Sequence, residues 1–334
     1  MVHEKAQLPP WTAVPAIREA PYSSASHEMR AGALPAPRLV PSGMARLSVP
    51  AADALLDEPV EVLDHGFVRL VDYLGGDDRI VQAARVSYGD GTKSVREDRA
   101  LIDYLLRNHH TSPFEQVIFT FHLKMPIFVA RQWIRHRTAR LNEISGRYSV
   151  MRDEFYLPRD FEVRYQSSRN KQGSDDREVP EELSRRVLEL LRDGQSRSYQ
   201  EYEALLGDDV ARELARVNLP LSLYTEMYWQ IDLNNLFHFL RLRLDWHAQY
   251  EIRAYCDAIA AAVKAVCPAA YEAFEEHILY GRAFSRSEIE LLRAALDPAS
   301  LAGAIASSGM RKTRRGEFLG KLGLELPEPV SENG

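Results

Sequence analysis

From Pro59 onward the chain shows clear hydrophobic periodicity, and the two periods present predict different elements. "VEVLDHGFVRLVDYLG" (60–75) alternates and is rich in β-branched residues, which predicts a hairpin turning at His65-Gly66. "DDRIVQAARVS" (77–87) and "SVREDRALIDYLLRNH" (94–109) have helical spacing, the second placing Leu101, Tyr104 and Leu105 on one face. "FEQVIFTFHLKM" (114–125) alternates apolar and polar positions with aromatics between them, the clearest strand in the chain. Pro126 suits the first turn of a helix running through "IFVARQWIRHR" (127–137). A short strand is predicted at "MRDEFYLP" (151–158), a polar loop over 167–180 and a helix over 181–206. "LYTEMYWQI" (223–231) reads as another strand, followed by helices over 232–243, 247–266 and 268–280. Helices mixed with separated strands, without regular βαβ alternation, predict an α+β fold: a mixed or antiparallel sheet flanked by long helices.

Both ends depart from this pattern. Residues 1–58, with "LPPWTAVPAIREAPYSS" and "ALPAPRLVPSG", are rich in proline, alanine and serine and only weakly periodic. Such a segment cannot bury enough apolar area to offset its ordering entropy, which predicts a mostly disordered extension. Residues 59–282 form the folded domain in this reading. After 282 come a helix at "SRSEIELLRAAL" (285–296) and a basic tail, "GMRKTRRGEFLGKLG" (309–323), whose cluster at 311–315 reads as a solvated face.

Composition narrows the function. At 334 residues and 45% hydrophobic, the chain is long enough for a substantial core. A net charge of −6 gives no global field toward nucleic acid or acidic membranes. Cys256 and Cys267 are the only cysteines, too few for a disulfide scaffold or a cysteine-rich metal site, and no metal site is predicted. No apolar run reaches the roughly 20 residues needed to span a bilayer, and "MVHEKAQLPPW" lacks the order of a signal peptide. The reading is a soluble, cytoplasmic protein.

Against that acidic background, "ARQWIRHRTARLNEISGRYSV" (130–150) is anomalous, because it gathers Arg131, Arg135, Arg137, Arg140 and Arg147. Cations at a helix C-terminus complement the macrodipole, which accounts for two of them. Arg140 and Arg147 follow beyond that end, interleaved with Asn142, Glu143 and Ser145 in a glycine-containing turn. Guanidinium forks, a hydroxyl and glycine-exposed amides make an anion cradle. Residue types alone leave two readings open, an enzyme that binds a phosphorylated ligand and a nucleic-acid binder using 135–147 and 311–315 as basic patches. The acidic net charge disfavours the second.

"RHRTARLNEISGR" has Arg-His-Arg, seven residues, then Ser145, and so resembles the RHR-x7-S signature of the flavin-dependent thymidylate synthases. "AARVSYG" (83–89), "HHTSPFEQVIFTFHLKMPIFVARQW" (109–133) and "LRLRLDWHAQYEIRAY" (240–255) agree in order and spacing. The resemblance covers approximately residues 60–280. It implies reductive methylation of dUMP to dTMP, with bound FAD as cofactor and NADPH and methylenetetrahydrofolate as co-substrates. It also implies a homotetramer with active sites at subunit junctions.

Position by position, the resemblance assigns flavin contacts to Ser87, His110, Ser112, Arg135, His136, Arg137, Glu143, Asp232, Asn234 and His238. It assigns nucleotide contacts to Gln132, Trp133, Ile134, Arg135, Glu143, Ile144, Ser145, Gly146, Arg147, Arg216 and Arg243. Ser145 and Arg147 face the phosphate, and Arg216 is supplied by another subunit. For Trp133, packing in the core competes with a ligand contact, and for His110 packing competes with flavin contact. The chain departs from the family at Asp232-Leu233-Asn234, where many members carry Asn-x-Arg, and at His238, often Asn.

The resemblance places Arg243 against the uracil ring, where a fixed guanidinium stabilises developing negative charge and makes C5 nucleophilic without a covalent enzyme bond. Cys256, in "AYCDAIAAA", and Cys267 read as small apolar packing residues rather than nucleophiles. A flavoprotein that uses NADPH but has lost methyl transfer is the alternative enzyme reading.

Overall fold

A computed structural model describes residues 48–86, 95–168, 173–174 and 177–324. The expected extension therefore lies largely outside the described residues, as does Ser87. Five strands form one sheet in the order β1-β2-β3-β5-β4: β1 Pro59–Val62, β2 Gly66–Leu74, β3 Ile118–Pro126, β4 Arg140–Glu143 and β5 Tyr224–Asp232. All four pairings are antiparallel, which settles the sheet type. The β1–β2 hairpin turns through three residues, Leu63 to His65, with Leu63 at φ 61°. Gly66 then opens β2 where the chain passes close to Tyr255; a Cβ there would collide with the Tyr255 hydroxyl.

The helices are α1 Pro50–Asp53, α2 Asp77–Arg85, α3 Val95–Arg107, α4 Ile127–Trp133, α5 Glu181–Gly207, α6 Arg212–Ala215, α7 Leu233–Arg243 and α8 Tyr250–Val266. They continue as α9 Pro268–Phe274, α10 Arg286–Ala295, α11 Pro298–Ser307 and α12 Lys312–Leu322. One face of the sheet, with Phe119, Phe121, Leu123 and Met125 from β3 and Met227, Trp229 and Ile231 from β5, packs against α4, α7 and α8, and α9 packs in turn on α8 and α3. Helix α8 is the centre of this core: Ile252, Tyr255, Cys256, Ile259 and Val263 are fully buried. A second, smaller core of Met151, Phe155, Tyr202, Ala215 and Leu223 lies under α5.

Several expectations need correction. The body begins before Pro59, because Ala52 is fully buried, Val49 N–H donates to the Tyr73 hydroxyl at 2.7 Å, and Tyr73 donates to Asp53. Helix α4 stops at Trp133, so Arg135, His136 and Arg137 lie beyond it and Arg131 and Arg135 share no helical face. The buried face of α3 is Ile102, Leu105 and Leu106, with Tyr104 45% exposed. The stretch 151–158 contributes one isolated bridge, Phe155 to Leu223, rather than a strand. Arg140–Glu143, read as part of a turn, is the edge strand β4. The segment 268–280 is helical in α9 and then widens into a π-turn, Glu275–Leu279. In the basic cluster Arg311 and Lys312 are exposed, as expected, but Arg314 reaches Glu276 at 3.9 Å, and further along α12 Glu317 pairs with Arg107 of α3, 2.9 Å.

Candidate functional site

Two groups of the expected residues assemble in the chain, and they are separate. The first sits where α4, α7 and α8 approach one another. Trp133 anchors it, its indole fully buried among Trp229, Phe239 and Tyr255, with centroids 5.1, 4.5 and 6.3 Å away. That burial makes the Trp133 side chain a core element rather than a ligand contact. With α4 stopped by this wedge, the chain turns and exposes Arg135 and Arg137, which have no ion pair or hydrogen bond from their side chains among the described residues.

His136 turns inward. Arg243 Nε donates to His136 Nε2 at 3.0 Å, and Arg243 Nη2 donates to the Gln132 carbonyl at 3.3 Å. Burial, the Arg243 charge and His238 push His136 down to about 4, so at neutral pH it is an uncharged acceptor. Burial lowers Arg243 from the usual arginine value, yet its guanidinium has no carboxylate partner among the described residues. A half-buried cation bonded only to neutral acceptors keeps its charge available to a ligand. His238, exposed on α7, approaches the His136 ring at 6.1 Å. Gln132 Nε2 donates to Gln249 Oε1 at 2.6 Å. Gln249 was not among the expected site residues, although its stretch "DWHAQY" was; a contact 117 positions apart leaves no local signal. A cavity of about 920 Å³ opens at the end of α7, with Arg243, Trp246, Asp257, Tyr271 and Tyr280 in its wall.

The second group follows β4. Glu143 ends the strand and accepts from Thr225 Oγ1 at 2.6 Å, and Ile144 N–H donates to the Glu226 carbonyl. The chain then turns tightly: Tyr148 and Ser149 N–H groups both reach the Ser145 carbonyl at 3.0 Å, and Arg147 N–H donates to Ser145 Oγ at 3.3 Å. The exit of the turn is pinned from α5, where the Tyr202 hydroxyl accepts from Met151 N–H and the Tyr199 hydroxyl donates to the Met151 carbonyl, both 3.0 Å. Arg216 packs beside Gly146, and a Cβ on Gly146 would lie 3.0 Å from Met151 Sδ and 3.1 Å from Arg216 Cδ. Glycine therefore lets Arg216 cross the turn. Arg147 pairs with Glu213 at 3.0 Å, a pair the expectations omitted. Both side chains are more than half exposed, so water screens the pair and a stronger anion can displace it.

No hydrogen bond or ion pair among the described residues joins the two groups. The remaining positions scatter. Asp232 is the N-cap of α7, accepting from Asn235 N–H at 3.0 Å and from the Asn235 side chain at 2.7 Å, so both carboxylate oxygens already serve the helix start. Asn234 is half-buried in the first turn of α7. His110 and Ser112 are exposed in the loop after α3, and the His110 ring stacks on Tyr104 at 5.9 Å. The His136 and His238 rings, with the guanidiniums of Arg135 and Arg137 that have no side-chain partner among the described residues, are a donor set whose chemistry fits a planar dinucleotide such as FAD. Both cysteines are fully buried, and burial pushes each thiol well above its usual value. Among the described residues no helix is long and apolar enough to cross a membrane, and no cluster of three or more metal-ligating side chains occurs.

Comparison with known proteins identifies the family. Residues 69–269 match the family model described as thymidylate synthase complementing protein. The flavin-dependent thymidylate synthase of Treponema denticola is 62% identical over 238 residues, 71% of this chain and 90% of the relative. That of Thermus thermophilus is 58% identical over 263 residues, 79% of this chain and 95% of the relative. Among solved structures, a UMP/dUMP methylase from Streptomyces cacaoi bound with 5-Br dUMP superposes with a TM-score of 0.59 at 32% identity. That match covers 67% of this chain and all of the methylase. The chain belongs to the flavin-dependent thymidylate synthase family.

Proposed function

We propose that this protein reductively methylates dUMP to dTMP, with FAD as cofactor, methylenetetrahydrofolate as one-carbon donor and NADPH as reductant. The observation that carries the reading is Arg243, a half-buried guanidinium held by two neutral acceptors and, among the described residues, by no carboxylate. Such a charge favours a ligand that becomes anionic, as uracil does when electron density moves onto N3 and its neighbouring carbonyl. C5 is then the nucleophile. Neither cysteine offers a covalent route through C6, because a sealed thiol with a raised pKa supplies no thiolate at neutral pH.

In this reading Ser145, Arg147 and Arg216 hold the nucleotide phosphate, with Glu143, Ile144 and the buried Gly146 completing the turn around it. Gln132 and Ile134 border the base, and Arg135 lies between nucleotide and flavin. His110, Ser112, His136, Arg137, His238 and Asn234 hold the flavin, and Asp232 serves it by capping the helix that carries the last two. Hydride relay from NADPH and reduction of the one-carbon unit are the chemistry that bound FAD supplies.

The separation of the two groups supports a site completed by a second copy, in which Arg216 and its turn meet Arg243 of a neighbouring subunit. A homotetramer in the cytoplasm is the corresponding assembly. Leu141, Ile144, Tyr148 and Tyr228, all 40% exposed or more, lie around the β4 edge and suit burial in such an assembly.

The test is dTMP formation from dUMP with folate, NADPH and FAD, each omitted in turn. NADPH oxidation without dTMP would establish a flavoprotein without methyl transfer, and a fully active monomer would exclude the shared site.

A further inference from the structure

Helices α10 to α12 lie outside the segment matched by the family model, yet α12 is tied to the end of α3, just before the loop that carries His110. Glu317 of α12 accepts from Arg107 Nη2 at 2.9 Å. Arg107 ends α3 with its side chain only 8% exposed, so water screens this pair far less than a surface one. Its other terminal nitrogen pairs with Asp103 one turn earlier, and Asp103 lies 2.6 Å from His277 Nε2. Held between Asp103 and Glu317, the Arg107 guanidinium sits 5.6 Å from the centroid of the Tyr104 ring. Tyr104 in turn stacks on the His110 imidazole, 5.9 Å away at 28°.

The backbone around His110 is fixed independently. His109 takes φ 60° at the end of α3, and the His109 and His110 N–H groups donate to the Leu106 and Leu105 carbonyls at 3.1 and 2.9 Å. The imidazole has no hydrogen bond or ion pair among the described residues, and its ring contact there is with Tyr104. A second tie runs from α12 to the π-turn, Arg314 to Glu276 at 3.9 Å.

We infer that α12 braces the flavin site: Glu317, acting through Arg107 and Tyr104, holds the His110 ring in the orientation that receives the flavin. Glu317 is a positioning residue, and its role rests on the reading of His110 as a flavin contact. Without Glu317, Asp103 remains the carboxylate bonded to Arg107 and draws it away from Tyr104. Tyr104 then loses its cationic neighbour and the His110 ring its fixed partner.

The test compares Glu317→Gln, Tyr104→Leu, the double variant and His110→Ala in the full-length protein. Glu317 is 35% exposed on its side chain and Tyr104 45% exposed, so the replaced groups lie outside the packed core. FAD affinity is read by flavin fluorescence, and thermal stability at saturating FAD is read separately. Glu317→Gln should weaken FAD binding by roughly three- to tenfold. In the Tyr104→Leu background the same change should add less than about twofold, because the two residues act in series. A Glu317→Gln protein that loses thermal stability and keeps its FAD affinity would overturn the brace, as would an equal effect in both backgrounds. Weakened FAD binding in His110→Ala but not in Glu317→Gln overturns the brace alone. Unchanged binding in His110→Ala overturns the reading of His110, and the brace with it.

Discussion

Arg243→Lys separates charge from geometry at the centre of the site. The wild-type guanidinium spends Nε on His136 at 3.0 Å and Nη2 on the Gln132 carbonyl at 3.3 Å, which leaves its other terminal nitrogen and its flat face for the base. A lysine ammonium keeps the positive charge but has no fork, and it cannot bond both acceptors while facing the ring. One charge-assisted hydrogen bond is lost or misdirected, worth about 1.5–3 kcal/mol, or roughly 10–150-fold. Because the guanidinium matters most as negative charge develops, the loss should fall on kcat rather than on ground-state binding. We expect turnover at saturating dUMP, folate and NADPH to drop at least about tenfold, about 1.4 kcal/mol in the barrier. Flavin absorbance per subunit should stay at the wild-type level, and dUMP affinity should fall only a few-fold. The assay is steady-state dTMP formation alongside equilibrium dUMP titration of the same preparation. A lysine variant with wild-type kcat would refute the electrostatic argument. So would a slow variant whose rate returns on adding FAD, since the defect would then be flavin loss.

Cys256→Ala with Cys267→Ala should stay folded, flavin-bound and within about threefold in rate; a dead, folded, flavin-bound double variant would call for a covalent mechanism. Gly146→Ala forces a Cβ to within 3.0–3.3 Å of Met151 and Arg216, so dUMP affinity should fall roughly tenfold by equilibrium dialysis with FAD content unchanged. His136 at about 4, below the usual 6.5, makes the unfolded state bind more protons between those values, so stability rises with pH across that window and is fully present above it. The gap between about 4 and 6.5 corresponds to roughly 3.4 kcal/mol, which partial exposure cuts to about 1.5. Denaturant melts of His136→Gln should lack that rise, and curves parallel to wild type would contradict it. Deleting residues 1–47 should leave flavin content and rate within about threefold. Deleting 1–55 also removes buried Ala52 and the Asp53–Tyr73 bond, costing roughly 2 kcal/mol and a few degrees in Tm.

How far the sequence foretold this site depended on whether the deciding contact was local. Strands β3 and β5 were legible because one side of each faces the core and the alternation records it. Strand β4 was not, since all four of its residues are exposed and only pairing to β5 makes them a strand. The end of α4 was misplaced for the converse reason. "WIRHR" keeps a plausible helical pattern, but Trp133 is wedged among three aromatic rings and Arg243, 107 positions away, draws His136 inward. Asp232 as a helix cap was readable, being an aspartate just before an apolar helix, and the comparison with Asn-x-Arg drew attention from it. The RHR-x7-S stretch spans residues of both groups, yet a linear motif carries no record of which of them can meet within one copy of the chain. Arg135 to Arg137 are joined to Ser145 by only seven residues, and strand β4 with its pairing to β5 occupies four of them. No hydrogen bond or ion pair among the described residues crosses that extended link from the Ser145 turn to the His136–Arg243 pair, and this is why we propose that a second copy completes the site.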